Sequence, residues 1–207
     1  MTLSATDPRY YPSPCIQMPG PPGNVYPATN SVEGAICHSA EGDWADSYTP
    51  VDTMIQRGVS WHFSVFKDGR VWQHYPLDAS CWHSGTGVQN RRLVGIEHEG
   101  KGPLTEAQVA ASVALVKWIA ATAGWPLTRH ETLLEHNEVY NTTCPSGRIP
   151  WERYLVLPNG EFLPEPDEGD AAAFYRAAML GPQPDSEIIP IPPEREGWAY
   201  WKFGVKR

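Results

Sequence analysis

The sequence predicts an α/β domain built on a central mixed β-sheet flanked by helices. Apolar, strand-like runs recur at "GAICHSA" (34–40), "VSWHFSVF" (59–66), "RVWQHYP" (70–76) and "LVGIEHE" (93–99). A long helical pattern, "LTEAQVAASVALVKWIAATAGWP" (104–126), follows them. Two of the runs are joined by a tight hairpin signal, and strands accompanied by a helix with a hairpin among them indicate a mixed sheet.

Taken in order, residues 1–29 are rich in Pro, Gly, Tyr and Asn and read as an irregular arm lying on the body. The run 34–40 ends in small polar residues, as a buried strand does where it meets a site. In 59–66 the side chains alternate, with Trp61, Phe63 and Val65 on one face and His62, Ser64 and Phe66 on the other. Asp68-Gly69 then supplies the turn into 70–76, because both central positions must tolerate positive φ. The run 93–99 is a further buried strand. Thr105 and Gln108 form a capping box, Val109, Val113, Val116 and Ala120 make one apolar stripe, and Gly124 and Pro126 supply the stop. Beyond the domain, 30–158, residues 159–207 form a Pro-rich, acidic extension with a short helical stretch, "AAAFYRAAML", and an aromatic end.

Composition narrows the function. The 207 residues suffice for one well-buried core. A net charge of −8 argues against nucleic acid or an anionic surface as partner, since both reward clustered Lys and Arg. The acidity is uneven: residues 160–198 hold nine Asp or Glu and two Arg. No apolar run reaches the length of a membrane span. "MTLSATDPRYYPSPC" lacks a basic stretch followed by an apolar one, so the expectation is synthesis in the cytoplasm without a signal peptide. Nothing calls for an obligate protein partner. That compartment favours free or metal-bound thiols over bridges for Cys15, Cys37, Cys81 and Cys144.

Seven histidines are present, and each begins as a structural residue. Position raises a few of them. His38 closes an apolar strand, where a rigid element fixes it and the next residues leave room. In "LLEHNEVYNTTCPSGRIPW" (133–151), His136 and Cys144 stand eight positions apart across turn-forming residues. They are a surface histidine beside a buried thiol, or hold half of a disulfide, or point at one metal ion. Imidazole and thiolate are both good zinc donors, and with His38 they make three ligands and an open fourth position, the arrangement of a catalytic site. Glu97 sits between Ile96 and His98 in an apolar strand, where a carboxylate has a partner or a task. Cys37 faces away from His38 and, like Cys81, reads as core. His62 is core or supports the site, and His74, His98 and His130 are read as structural.

"AICHSAEG", "VSWHFSVFKDGRVWQ", "CWHSGTG", "LVGIEHEG" and "EHNEVYNTTCPSG", in that order, resemble the zinc-dependent N-acetylmuramoyl-L-alanine amidases, a family that includes phage lysozyme-type amidases and peptidoglycan recognition proteins. The resemblance spans residues 30–155. It implies Zn²⁺ at one end of the sheet, peptidoglycan or its muropeptide fragments as partner, and cleavage of the amide between N-acetylmuramic acid and L-alanine by zinc-activated water. It places the metal ligands at His38, His136 and Cys144. Thr142, two residues before the third ligand, then hydrogen bonds the carbonyl oxygen as charge develops, and Glu97 is the general base. His83 falls on a histidine lining the substrate groove. Trp61 stands where another branch carries a tyrosine; indole cannot shuttle a proton, so the weight shifts to Glu97 and Trp61 becomes a substrate contact.

The leading expectation is a phage-type endolysin that reaches the bacterial cell wall through a separate pore. Against it stand a cytoplasmic amidase recycling wall fragments, a zinc peptidase cutting within the stem peptide, and a non-catalytic peptidoglycan-binding protein. The presence of all three ligands with Glu97 weighs against the last.

Overall fold

A computed structural model describes residues 7–11, 15–155 and 187–188. Its strands are β1 (Cys15–Gln17), β2 (Val25–Tyr26), β3 (Gly34–Ser39), β4 (Phe63–Val65), β5 (Val71–Gln73), β6 (Ser80–Cys81), β7 (Leu93–His98), β8 (Leu133–Glu135) and β9 (Glu187–Ile188). The helices are α1 (Thr49–Arg57), α2 (Gly87–Asn90), α3 (Glu106–Ala123), α4 (His136–Val139) and α5 (Trp151–Tyr154). Seven strands form one mixed sheet in the order β8-β3-β7-β4-β5-β1-β9, and β2 pairs with β6 apart from it. Within the large sheet only the β4–β5 hairpin is antiparallel. Its turn contains Gly69 at φ 87°, while Asp68 stays outside the positive-φ region, so only the glycine of the Asp-Gly pair uses that freedom.

Helix α3 covers one face of this sheet. Thr105 accepts from the Gln108 amide at 3.1 Å, and Gln108 Oε1 accepts from the Thr105 amide at 3.1 Å, closing the expected capping box. The buried stripe is wider than the sequence reading: Leu115, Trp118 and Ile119 join Val109, Val116 and Ala120, while Val113 lies half-buried at its margin. These side chains pack on Ala35, Cys37, Phe63, Val65, Val94 and Ile96, which all point to the same side of β3, β4 and β7. The opposite face carries His38 and Glu97. It continues toward a smaller cluster of Met18, Val51, Phe66 and Trp72, to which α1 contributes Val51.

Three departures matter. Residues 15–17, within the stretch expected to be an irregular arm, are strand β1, and Met18 beside them is fully buried. Residues 49–57 form a helix that no long periodicity announces: Pro50 opens it, Val51 and Met54 bury one short face, and Gly58 closes it at φ 64°. Residues 133–139, which lead into the turn-forming run before Cys144, hold β8 and α4. The helical stretch and the aromatic end expected in the extension lie outside the described residues.

Candidate active site and metal centre

Parallel register assembles the site. Cys37 pairs with Glu135 across β3 and β8, so the next residues, His38 and His136, stand level where those two strands end. His38 in turn pairs with Glu97 of β7. Side chains in register on parallel strands point the same way, and adjacent strands lie only about 4.8 Å apart. Three chemically active groups therefore meet at the carboxyl ends of adjacent strands, where open α/β sheets characteristically bind ligands.

His38 is buried and held from two sides. His98 Nδ1–H donates to the His38 carbonyl at 2.9 Å, while Ser112 Oγ hydrogen bonds His98 Nε2 at 2.7 Å. The His38 ring meets His83 through Nε2, 3.0 Å from His83 Nδ1. Burial, with His83, His136 and His98 nearby, holds His38 well below the usual histidine range. The ring is thus neutral and able to offer a lone pair.

His136 stacks against the exposed Tyr140 with ring centroids 5.8 Å apart. Its Nε2 is buried and meets no hydrogen-bond partner among the described residues. Burial lowers its pKa from the ordinary histidine value, against a smaller opposing effect of the Ser84 backbone.

Cys144 arrives from the turn after α4. The Asn137 amide donates to the Cys144 carbonyl at 2.9 Å, and Thr142 Oγ1 accepts from the Cys144 amide at 3.2 Å. Its sulfur lies 3.8 Å from His38 Nδ1 and accepts from the Ser39 amide at 3.2 Å. Burial and the nearby carboxylates, Glu97 among them, push the thiol up to about 12 in the absence of a cation.

The three donor atoms of His38, His136 and Cys144 lie within 4.8 Å of one another. A tetrahedral zinc with two nitrogen donors and one sulfur requires separations of roughly 3.4–3.6 Å. The His38 Nδ1–Cys144 Sγ separation of 3.8 Å comes near that value, and the soft-and-borderline donor set and the orphaned His136 nitrogen fit a zinc ion. The metal-over-disulfide reading follows the same geometry, since all four cysteines are free.

Glu97 shares this face and is half-buried. Burial pushes its carboxyl up to about 8 against the opposing pull of Arg148. Thr142 is half-buried; because its oxygen already accepts from the Cys144 amide, its hydroxyl hydrogen remains to donate.

Two expected substrate contacts lie elsewhere. Trp61 is 5% exposed, packs with Val25, Met54, Tyr75, Ala79 and Cys81, and donates through Nε1 to Ser64 Oγ at 2.8 Å. An indole enclosed in that way has no free face for a ligand. His83 is 8% exposed, and both of its ring nitrogens are engaged within the protein, Nδ1 with His38 and Nε2 with the Leu93 carbonyl. His62 and His74 are core residues as read, and His130 is exposed and paired with Glu138.

Arg148 was not singled out in the sequence, and it ties the site together. Its guanidinium donates to the carbonyls of His98, Glu99, Gly100 and Gly102 and to Ser39 Oγ. It thereby joins the turn bearing Cys144 to the ends of β3 and β7. A lone arginine just after "CPSG" is the one signal that sequence offered.

Comparison with known proteins agrees with this geometry. The family described as N-acetylmuramoyl-L-alanine amidase matches residues 28–147, more than half of the chain. The N-acetylmuramoyl-L-alanine amidase XlyB of Bacillus subtilis is 29% identical over 127 residues, covering 58% of this chain and 38% of that protein. The N-acetylmuramoyl-L-alanine amidase CwlH of the same organism is 30% identical over 102 residues, covering 46% and 39%. The chain thus spans about two-fifths of the length of these curated relatives. Among solved structures, the endolysin N-acetylmuramoyl-L-alanine amidase LysCS from Clostridium intestinale shares the fold with a TM-score of 0.60 at 21% identity, over 70% of this chain and 94% of that one. By its family match, the chain belongs to the N-acetylmuramoyl-L-alanine amidases.

Proposed function

We propose that the chain is a zinc-dependent peptidoglycan amidase that cleaves the bond between N-acetylmuramic acid and L-alanine, acting as a phage-type endolysin on the bacterial cell wall. The observation that carries the reading is the convergence of His38, His136 and Cys144, with a buried His136 nitrogen that has no partner among the described residues. The relatives' names supply the substrate class.

His38, His136 and Cys144 would hold the ion. When bound, zinc lowers the pKa of water and polarises the scissile carbonyl. Glu97 takes the proton from the attacking water and returns it to the leaving amine of L-alanine, a role suited to a carboxyl whose pKa burial has raised. The Thr142 hydroxyl donates to the carbonyl oxygen as it gains charge. Residues 30–158 serve as the catalytic unit, with 159–207 as an addition to it and β1 of the preceding arm built into its sheet.

The test is digestion of purified peptidoglycan with and without a chelator, followed by product analysis. New N-terminal alanine without new reducing sugar supports the amidase reading, and new termini within the stem peptide would turn it into a peptidase. Activity should vanish with exhaustive zinc removal, return on adding zinc, and be absent in Cys144→Ser. Full activity in that variant or in the metal-free protein would overturn the metal assignment.

A further inference from the structure

We propose that His83 is a positioning residue: its ring fixes the tautomer of His38, so that Nδ1 is the nitrogen His38 offers to the metal. The proposal rests on the reading of His38, His136 and Cys144 as a metal centre.

The Leu93 carbonyl, which can only accept, lies 3.1 Å from His83 Nε2. That nitrogen therefore carries a proton. In a neutral imidazole the other nitrogen is then a lone pair, and His83 Nδ1 stands 3.0 Å from His38 Nε2. A lone pair there needs a donor, so His38 carries its own proton on Nε2 and its Nδ1 is left bare. That bare nitrogen faces Cys144 Sγ at 3.8 Å, the side on which the three donors gather. In the alternative tautomer of His38, two lone pairs would oppose each other across 3.0 Å and Nδ1 would turn a hydrogen toward the metal.

The surroundings hold His83 in this relay. Asn90 Oδ1 accepts from the His83 amide at 3.1 Å, the Ser84 amide at 2.9 Å and Ser84 Oγ at 2.8 Å, pinning the segment. Gly95 of β7 makes room for the ring, since a Cβ at that position would lie 2.6 Å from His83 Cγ. That segment thus fixes the ring that meets His38. Partners of this kind typically contribute 10- to 100-fold in metal affinity.

The test uses cobalt(II) as probe, because its visible absorption reports coordination. His83→Leu fills the volume but removes the acceptor, and His83→Asn places an amide oxygen near the position of Nδ1. We expect His83→Leu to lower cobalt affinity by about 10- to 100-fold in competition with a chelator and to shift the absorption bands. His83→Asn should recover most of that loss. A packing role predicts the opposite order, because leucine suits an apolar pocket better than asparagine; that order, or unchanged affinity in His83→Leu, overturns the proposal. Two-bond proton–nitrogen NMR of the unsubstituted protein reads the tautomers without requiring any variant to fold. Nε2–H on both His38 and His83 supports the relay, and Nδ1–H on His38, or metal bound through its Nε2, overturns it. An unsubstituted protein that takes up neither cobalt nor zinc overturns the metal reading itself, and the proposal with it.

Discussion

Glu97 shows how much one position can ask of a carboxylate. It lies on the face of β7 that carries the site, level with His38, and burial pushes it up to about 8 while Arg148 pulls the other way. A base must be deprotonated to act, so activity should fall as pH is lowered, along a limb governed by a pKa above the usual carboxylate range. Glu97→Ala should keep its zinc, lose that limb, and turn over peptidoglycan about a hundredfold or more slowly. Steady-state rates across pH, with metal content measured on the same samples, check both statements; near-normal turnover would return the proton transfer to another group. At this scale the sequence was legible where chemistry is conspicuous. His38 stood out at the end of an apolar run, Glu97 as a carboxylate within one, and His136 and Cys144 as paired donors across turn-forming residues. The roles of His83 and Arg148 were not legible, because they depend on which lone pair or hydrogen faces which partner across the fold. Only Gly95, a glycine within an apolar strand, hinted that another group comes close.

At the scale of elements, strongly patterned segments were readable and short ones were not. Helix α3 carries its own cap and stop, and the β4–β5 hairpin its own turn. Strands β1 and β8 are three residues long, and each is a strand only because a neighbour supplies its register. The hairpin also holds two buried histidines that set a pH dependence of folding. His62 accepts from the Gly95 amide at Nδ1 and donates to the Ala79 carbonyl from Nε2. His74 donates to the Met18 carbonyl and accepts from Ser64, whose oxygen accepts in turn from Trp61. Each network uses one lone pair and one proton, so neither ring takes a second proton without breaking a bond. Burial lowers both from the ordinary 6.5 to about 4. Between those values the unfolded chain binds protons that the folded chain refuses, so their stabilisation is complete above about pH 6.5 and is lost as pH falls toward 4. The loss by pH 5 is on the order of 2 kcal/mol for each ring. Urea midpoints of the chelator-treated protein at pH 7.5 and 5 should show it, and His62→Gln should remove only its own share of the difference, since His38, His83 and His98, likewise lowered by burial, contribute beside it. Equal midpoints in the unsubstituted protein would mean that these rings are not the source.

Across the whole molecule, strand order separates the site from the far edge of the sheet. His38, His136 and Cys144 gather at the β8-β3-β7 side, whereas β9 lies at the opposite edge, paired in parallel with β1 through Ile16–Glu187 and Gln17–Ile188. Between them stand β4, β5 and β1, packed against the shared core under α3. Removing residues 159–207 therefore takes away an edge strand but none of His38, Glu97, His136, Thr142 and Cys144, and none of the contacts that His83 and Arg148 make among the described residues. The shortened chain should bind zinc with unchanged affinity and cleave soluble muropeptides at an unchanged rate. What it should lose lies at the other edge: β1 would present unpaired amides and carbonyls, which invite pairing with another chain. Its unfolding midpoint should drop and its tendency to self-associate should rise, both readable by thermal melts and light scattering against the full chain. A truncated protein that is stable and monodisperse yet has lost its zinc affinity would show the opposite division of labour, with the extension supporting the site across the sheet and the catalytic unit reaching beyond residue 158.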